Sequence, residues 1–380
     1  MKVNAFGKTA AFGLGAGVLA LGALSMPAQA DPPPAGSLPG AGSDTTMDVM
    51  QGIAVESGGL MESWHATVGG VVHDDITVKG NTVTRPNGSS EGRDALRRSL
   101  GENVTTSWAT NPVPVGSDTF DWARSSSPPP DAQISPAGDL AYVAFALDAV
   151  TYATGPNSPL PQSFTLAQLQ TMYRDGGSVT VGGVTYTPDE NITLLIPQSG
   201  SGTRAFWAST MEIDAINPPA WVHDTLDGQP VQEHDGTVLE TNLDAIAPFS
   251  IAQYIAQSNG VAPDRRHNAE LMSIDGVDPT VAHPVSGDQI LNENFPVTRQ
   301  VYNIVASADV GAATTDVSNP VIGDGADVLV EVAFEGNTSE VCTSLTDTPD
   351  GTVSTIELYG FAQIDNCGDT SLRAYPNVVG

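Results

Sequence analysis

The chain has few basic residues, only two cysteines and, beyond its N-terminus, no long apolar run. Its 380 residues include 14 Lys+Arg against 44 Asp+Glu, a formal net charge of −30 at pH 7. So few cations cannot form a sizeable basic patch, which argues against nucleic acids and anionic membrane surfaces as partners. No later apolar run approaches the roughly 18 residues that span a bilayer, so we expect no membrane insertion after the N-terminal segment. With 40% hydrophobic residues the chain is still expected to be globular.

The N-terminus has the pattern of a secretion signal. Lys2 and Lys8 precede an apolar, Gly/Ala-rich stretch over 10–26, and an Ala-Gln-Ala triplet at 28–30 fits a cleavage site between small residues. A transmembrane anchor is the alternative interpretation. We therefore predict a signal peptide over 1–30, a flexible leader over 31–39, and a secreted or periplasmic location.

The two cysteines, Cys342 and Cys367, both follow the predicted signal peptide. In an oxidising compartment a cysteine pair typically forms a disulfide, which is the prediction here. A free thiol or a metal-binding pair is the alternative.

Predicted strands and helices alternate along the chain. Apolar runs predict buried strands over 140–152, 192–196 and 295–305. Helical spacing over 164–173 predicts a helix with Thr165 as its N-cap. A further strand is predicted over Val328–Phe334. This alternation favours an α/β fold with mostly parallel sheets.

Three Gly/Ser-rich turns precede predicted helices and suggest an anion site. They are Ser43-Asp44-Thr45, Gly88-Ser89-Ser90 and the Ser199–Thr203 turn. A helix start carries free N–H groups and a partial positive charge, so converging starts can hold an anion without lysine. A fourth segment, Arg124-Ser125-Ser126, adds a guanidinium and hydroxyls. The alternatives are ordinary N-capping, a surface salt bridge at Arg124 and a solvent-facing Arg204.

The candidate ligand-binding residues are Ser43, Asp44, Thr45, Ser89, Ser90, Arg124, Ser125, Ser126, Ser201, Gly202, Thr203 and Arg204.

The serial order of these segments resembles a known family. The matching pieces are GAGSDTT, NGSSEG, FDWARSSSPP, LAYVAFALDAV, FTLAQLQTMY, SGSGTRAFW, DAIAPFSIAQYIA and FPVTRQVYNIV, which are distributed over most of the span of residues 40–310. In this order the chain is similar to the periplasmic phosphate-binding proteins of ABC transporters, which have the type 2 periplasmic-binding fold.

The resemblance implies a two-lobed α/β protein with hinge strands between the lobes. The expected limits are 40–142 for the first part of lobe 1, 143–298 for lobe 2, and 299–380 for the return to lobe 1 with the cysteine-containing C-terminal region. It implies a monomeric, non-enzymatic protein that clamps a small oxyanion, phosphate favoured, for an ABC permease, with no cofactor and no metal. The family's binding positions fall on Asp44, Thr45, Ser89, Ser126, Ser201, Gly202 and Thr203.

The chain departs from the family pattern at three positions. Ser126 stands where the family often has a carboxylate that accepts the proton of hydrogen phosphate, and Pro197 stands where it has an arginine. Asp44 replaces a hydroxyl residue, while Arg124 and Arg204 are additional. A site without a proton acceptor discriminates less against sulfate-like anions, unless Asp44 takes that role. The identity of the ligand therefore stays open: phosphate, another oxyanion or a larger molecule.

Two other classes of function stay open. A hydrolase would use Ser201 with one of six histidines, but the turn lacks the first glycine of G-x-S-x-G and no histidine has a recognisable partner spacing. The other class is a secreted adhesive or structural protein that kept the fold.

Metal clusters at His73-Asp74-Asp75 and Glu233-His234-Asp235 are suggestive, but no H-E-x-x-H or C-x-x-C motif accompanies them. The histidines are His65, His73, His223, His234, His267 and His283.

Overall fold

The computed structural model describes residue 33 and the ranges 35–284, 287–311, 326–349 and 351–376. The predicted signal peptide over 1–30 lies outside these residues. Within them, no helix combines the length and the apolarity that crossing a membrane requires.

Helices and strands alternate as the sequence predicts. The helices are α1 (Met47–Glu56), α2 (Ser89–Ser99), α3 (Leu166–Asp175), α4 (Gly202–Thr210), α5 (Ile251–Ser258), α6 (Ala326–Phe334), α7 (Glu340–Thr343) and α8 (Thr355–Leu358). The strands of the main sheet are β1 (Leu38–Gly42), β2 (Met61–Ser63), β5 (Trp122–Ser125), β6 (Leu140–Thr154), β10 (Thr193–Leu195), β11 (Val222–His223), β14 (Ala245–Ser250), β15 (Glu270–Leu271), β19 (Thr298–Ala306) and β22 (Arg373–Ala374). The remaining strands form two-stranded sheets: β3 (Asp75–Val78) with β4 (Asn81–Thr84), β7 (Ser163–Phe164) with β16 (Ser273–Ile274), β8 (Val179–Val181) with β9 (Val184–Tyr186), β12 (Thr225–Leu226) with β13 (Gln229–Pro230), β17 (Thr280–Ala282) with β18 (Gln289–Leu291), and β20 (Leu345–Thr348) with β21 (Gly351–Ser354).

The long strand β6 links two halves of the main sheet, whose order is β11-β10-β14-β6-β19-β5-β1-β2. Nine of its first ten residues pair with β19, with an irregularity at Phe145, and its last five pair with β14. The predicted buried strand over 140–152 is therefore confirmed, and it is the element that passes from one half to the other.

Each half has its own apolar core. One core packs around Tyr152, Phe164 and Trp207, and the other around Val49 and Trp122. The first core includes residues from the end of β6, between Ala149 and Tyr152, and the second includes residues from its beginning, between Ala141 and Ala146. The two-lobed α/β organisation predicted above is confirmed, while the lobe limits stay a prediction.

The sheet differs from the prediction in strand direction. The pairs β1–β2, β1–β5, β10–β11 and β10–β14 are parallel, but β6 and β19 run antiparallel to each other and to the strands beside them. The sheet is mixed because the chain crosses between the halves on these two strands.

Two local predictions also differ from the structure. Residues Val328–Phe334 lie in helix α6, where Val330, Ala333 and Phe334 are buried while Val328 and Val332 are exposed. This burial at i, i+3 and i+4 is the helical period, which a short apolar run cannot reveal without knowing which face is covered. Leu38 and Pro39 belong to strand β1, although they were assigned to the leader.

A disulfide joins Cys342 to Cys367, with a Cα–Cα distance of 5.9 Å, and confirms the predicted pairing. It links the end of helix α7 to the loop that follows α8, close to the core around Phe334.

Removal of this disulfide should destabilise the protein. The bond spans a sequence separation of 25, and on the chain-entropy model a loop of this size is worth about 3–4 kcal/mol. We expect the double variant C342S/C367S to unfold at a lower urea concentration than the wild type, because its unfolded state is no longer cross-linked. Equal midpoints for the two proteins would contradict this expectation.

Candidate functional site

The starts of helices α1, α2 and α4 meet between the two halves of the molecule. The Thr45 and Thr203 hydroxyls lie 3.1 Å apart although 158 residues separate them. The Ser89 hydroxyl lies 3.3 Å from that of Ser126, and the Ser90 N–H donates to the carbonyl of Gly200 at 3.1 Å. All four segments singled out in the sequence therefore contribute to one buried cluster of hydroxyls.

The local structure explains why this cluster can donate hydrogen bonds. Helices α1 and α2 begin after Thr46 and Gly88, and neither start has a side-chain cap, so N–H groups of their first turns have no side-chain acceptor. Helix α4 is capped by the Ser201 hydroxyl, which accepts from the Arg204 N–H at 3.1 Å. Gly200 has a φ of +92°, a conformation that favours glycine, and this bend turns the chain into α4.

Gly202 allows the segments to approach closely. A Cβ at this position would lie 2.3 Å from the Ser126 Oγ and 2.4 Å from the Ser89 Oγ. Only a residue without a side chain leaves both hydroxyls in place. This packing connects α4 in one half to α2 and β5 in the other.

A buried glutamate lies within the hydroxyl cluster. The Thr45 hydroxyl donates to Glu233 Oε1 at 2.7 Å, and the Ser201 hydroxyl lies 3.1 and 3.0 Å from the two carboxylate oxygens. Burial, followed by the negative charge of Asp44, raises the pKa of Glu233 to about 7. The hydroxyls are thus oriented to donate to oxygens of a carboxylate, which is itself an oxyanion.

Asp44 and His234 lie beside Glu233 and are fully buried. Asp44 Oδ1 accepts from the Thr45 N–H, whereas Asp44 Oδ2 has no hydrogen-bond donor and lies 3.5 Å from His234 Nδ1. Burial opposes the ionisation of Asp44, but its contact with the His234 imidazole lowers the pKa of Asp44 below the ordinary value. The same contact outweighs burial and raises the pKa of His234.

Arg124 contacts the backbone that holds the first turn. Its Nε and Nη2 donate to the carbonyls of Ser43 and Gly42, and its Nη1 donates to the Ser63 hydroxyl. Burial lowers the pKa of Arg124 to about 9, although Asp44 and Asp48 oppose this effect. These contacts place Arg124 behind the first turn as a support, and its predicted role on an anion stays a prediction.

The other predicted residues lie at the margin of the cluster. Arg204 donates to the carbonyls of Pro197 and Ala215 and to Asp224, so its guanidinium is engaged within its own half. Ser125 Oγ donates to the Ser127 carbonyl, and Ser43 Oγ is buried without a hydrogen-bond partner.

Glu233 and His234 are not among the residues that the sequence predicts for this site. Both follow strand β13 in a loop without regular spacing, and the only sequence signal was the Glu-His-Asp triplet at 233–235. Their backbone is fixed by two hydrogen bonds, from the Ser250 N–H to the Glu233 carbonyl and from Gln257 Nε2 to the His234 carbonyl.

The contacts of Ser201 bear on the hydrolase alternative. Its hydroxyl donates to Glu233, and among the described contacts no histidine is hydrogen-bonded to it. The arrangement lacks the serine–histidine pair that activates a nucleophilic hydroxyl.

Comparison with known proteins gives distant structural similarities. No family model and no curated protein matches the chain. A protein assigned as a phosphate ABC transporter substrate-binding protein from Clostridium perfringens, solved with bound phosphate, is 14% identical, with a TM-score of 0.47, covering 86% of this chain and 99% of its own. An ABC-type phosphate transport receptor from Vibrio cholerae is 16% identical, with a TM-score of 0.41, covering 77% of this chain and 96% of its own. A phosphate-binding protein from Stenotrophomonas maltophilia is 11% identical, with a TM-score of 0.44, covering 87% of this chain and 91% of its own.

Proposed function

We propose that the protein binds one small oxyanion, with phosphate favoured, between its two halves and delivers it to an ABC-type permease outside the cytoplasm. The proposal includes secretion and a monomeric, non-enzymatic protein.

One observation carries this proposal. The hydroxyls of Thr45, Ser89, Ser126, Ser201 and Thr203, from four segments far apart in the sequence, converge at three helix starts. Helix starts and hydroxyls together supply several donors to one anion and require no lysine. Such donors can hold an anion even in a protein with a formal net charge of −30, because they attract it only at short range.

The contacts of Glu233 support the same conclusion. The Glu233 carboxylate accepts hydrogen bonds from the Thr45 and Ser201 hydroxyls. The cluster therefore already donates to one oxyanion, which is a side chain of the protein itself. An incoming phosphate would take over these donors and add those of Ser89, Ser126 and Thr203. Five hydroxyls and the uncapped N–H groups can surround its four oxygens.

Phosphate should raise the thermal stability of the protein. A ligand that binds only the folded state stabilises it by about 2.7 kcal/mol at a hundredfold excess over its Kd. We expect the Tm to rise with phosphate concentration in a thermal-shift panel that also contains sulfate, molybdate, phosphonates and sugar phosphates. A Tm unchanged by every anion of the panel would overturn the proposed function, and a response to another anion alone would overturn the choice of phosphate.

A further inference from the structure

The cluster beside the hydroxyls has an unusual composition for a site that holds an anion. Asp44 and Glu233 place two buried carboxylates next to each other, and the described hydrogen bonds include none from an arginine or lysine to either one. Nearby Arg124 and Arg265 are engaged elsewhere, Arg124 with backbone carbonyls and Arg265 with Asp48. Buried carboxylates require a compensating positive charge, and among the described residues His234 is the basic side chain that contacts one of them, Asp44.

The ligating atoms of three residues are close enough to share one cation. One side-chain oxygen of Asp44, one of Glu233 and a ring nitrogen of His234 all lie within 4.8 Å of one another. His234 Nδ1 and Asp44 Oδ2 are 3.5 Å apart, near the roughly 3.3 Å between two ligands of a tetrahedral zinc ion with bonds of about 2.0–2.1 Å.

A second observation is that the ion pair of Asp44 with His234, at 3.5 Å, is longer than a hydrogen bond. Asp44 Oδ2 and His234 Nδ1 are both buried, and within the described part of the chain neither has a hydrogen-bond partner. These two atoms face each other at 3.5 Å, and one oxygen of Glu233 lies within 4.8 Å of both. Buried polar atoms without partners are uncommon in proteins, and an ion is one of the explanations.

Neighbouring groups orient the two carboxylates as a metal site requires. Before an oxyanion takes over their hydroxyls, Thr45 and Ser201 donate to Glu233, and the Thr45 N–H donates to Asp44 Oδ1, which leaves Oδ2 on the side of His234. Ligating carboxylates in metal sites are commonly hydrogen-bonded in this way by neighbouring groups.

We propose that Asp44, Glu233 and His234 form a binding site for a divalent transition-metal ion of the zinc type, adjacent to the oxyanion site. One imidazole and two carboxylates are ligands that zinc accepts, and three protein ligands leave one position for water or for an oxygen of the bound oxyanion. The ion would neutralise the two carboxylates and place a positive charge next to the hydroxyl cluster.

The proposal is tested by calorimetric titration of the full chain, stripped with EDTA, with zinc chloride in phosphate-free buffer. We expect one zinc ion per chain, with affinity reduced at least about tenfold in H234Q and in D44N, since loss even of a group that only orients a ligand costs about 10–100-fold. The matched control is H223Q, because His223 forms an exposed pair with Asp189 at 2.8 Å and should not contribute to zinc affinity. No zinc binding by the wild type, or equal affinity in wild type, H234Q and D44N, would overturn the proposal.

A second measurement covers the case in which a variant fails to fold. Wild-type protein loaded with Co²⁺ should show the intense visible absorption of a four-coordinate site, and the weak spectrum of hydrated Co²⁺ would count against the proposal. Neither measurement contains phosphate, so both report on the metal site independently of the proposed oxyanion function.

Discussion

Replacement of Gly202 by alanine should reduce phosphate affinity at least about 100-fold. The new Cβ would lie 2.3 Å from the Ser126 Oγ and 2.4 Å from the Ser89 Oγ, so both hydroxyls must rotate away. Each hydrogen bond to a charged group contributes about 1.5–3 kcal/mol, and loss of two amounts to roughly 3 kcal/mol or more. The measurement is the Kd from calorimetric titration with phosphate.

The matched control for this variant is G177A. An alanine at Gly177 must also displace a side chain, since its Cβ would lie 2.9 Å from Thr171 Cγ2, but this position follows helix α3, away from the hydroxyl cluster. We expect G177A to bind phosphate as the wild type does. Equal affinities for G202A and the wild type would remove Ser89 and Ser126 from the binding site.

Replacement of Arg124 by methionine should lower the free energy of unfolding by about 3–5 kcal/mol. The guanidinium is fully buried, and its loss removes the side-chain donor of the Ser43 carbonyl and of the Ser63 hydroxyl, while the Gly42 carbonyl keeps only the Gly88 N–H. Each unsatisfied buried polar group costs about 1–3 kcal/mol. Urea denaturation of R124M and the wild type gives this difference.

The control for R124M is R174M, because Arg174 pairs with Asp175 and Glu212 on the exposed surface, where ion pairs contribute about 0–1 kcal/mol. A wild-type stability for R124M together with a lost affinity for phosphate would contradict the supporting role. That result would instead establish that the Arg124 guanidinium donates directly to the anion, as the sequence predicts.

Elements with a strong local signal could be predicted from the sequence. Helix α3 begins after Thr165, whose hydroxyl accepts from the Gln168 N–H while the Gln168 side chain accepts from the Thr165 N–H, and this reciprocal cap can be identified from the residues alone. The turn before α4 was equally visible, because Ser201 caps the helix and Gly200 adopts a positive φ. Local hydrogen bonding fixes such features, so a short window of sequence contains the information.

Features set by contacts between distant segments could not be predicted in this way. Glu233 enters the hydroxyl cluster because its loop is fixed by β14 and α5, through the Ser250 N–H and Gln257. The contacts of Arg124 with Gly42 and Ser43 depend on the pairing of β1 with β5, which the residues around Arg124 do not reveal. Composition showed that an anion site must work with few cations, but it did not show which carboxylates lie beside that site.

The most direct test of the central claim is a crystal structure with arsenate, a tetrahedral analogue of phosphate that can be located by its anomalous scattering. The account predicts one anomalous peak between the two halves, with arsenate oxygens at hydrogen-bond distance, about 2.5–3.0 Å, from the hydroxyls of Thr45, Ser89 and Thr203. Arsenate bound elsewhere on the protein, with the Glu233 carboxylate still held by Thr45 and Ser201, would contradict it.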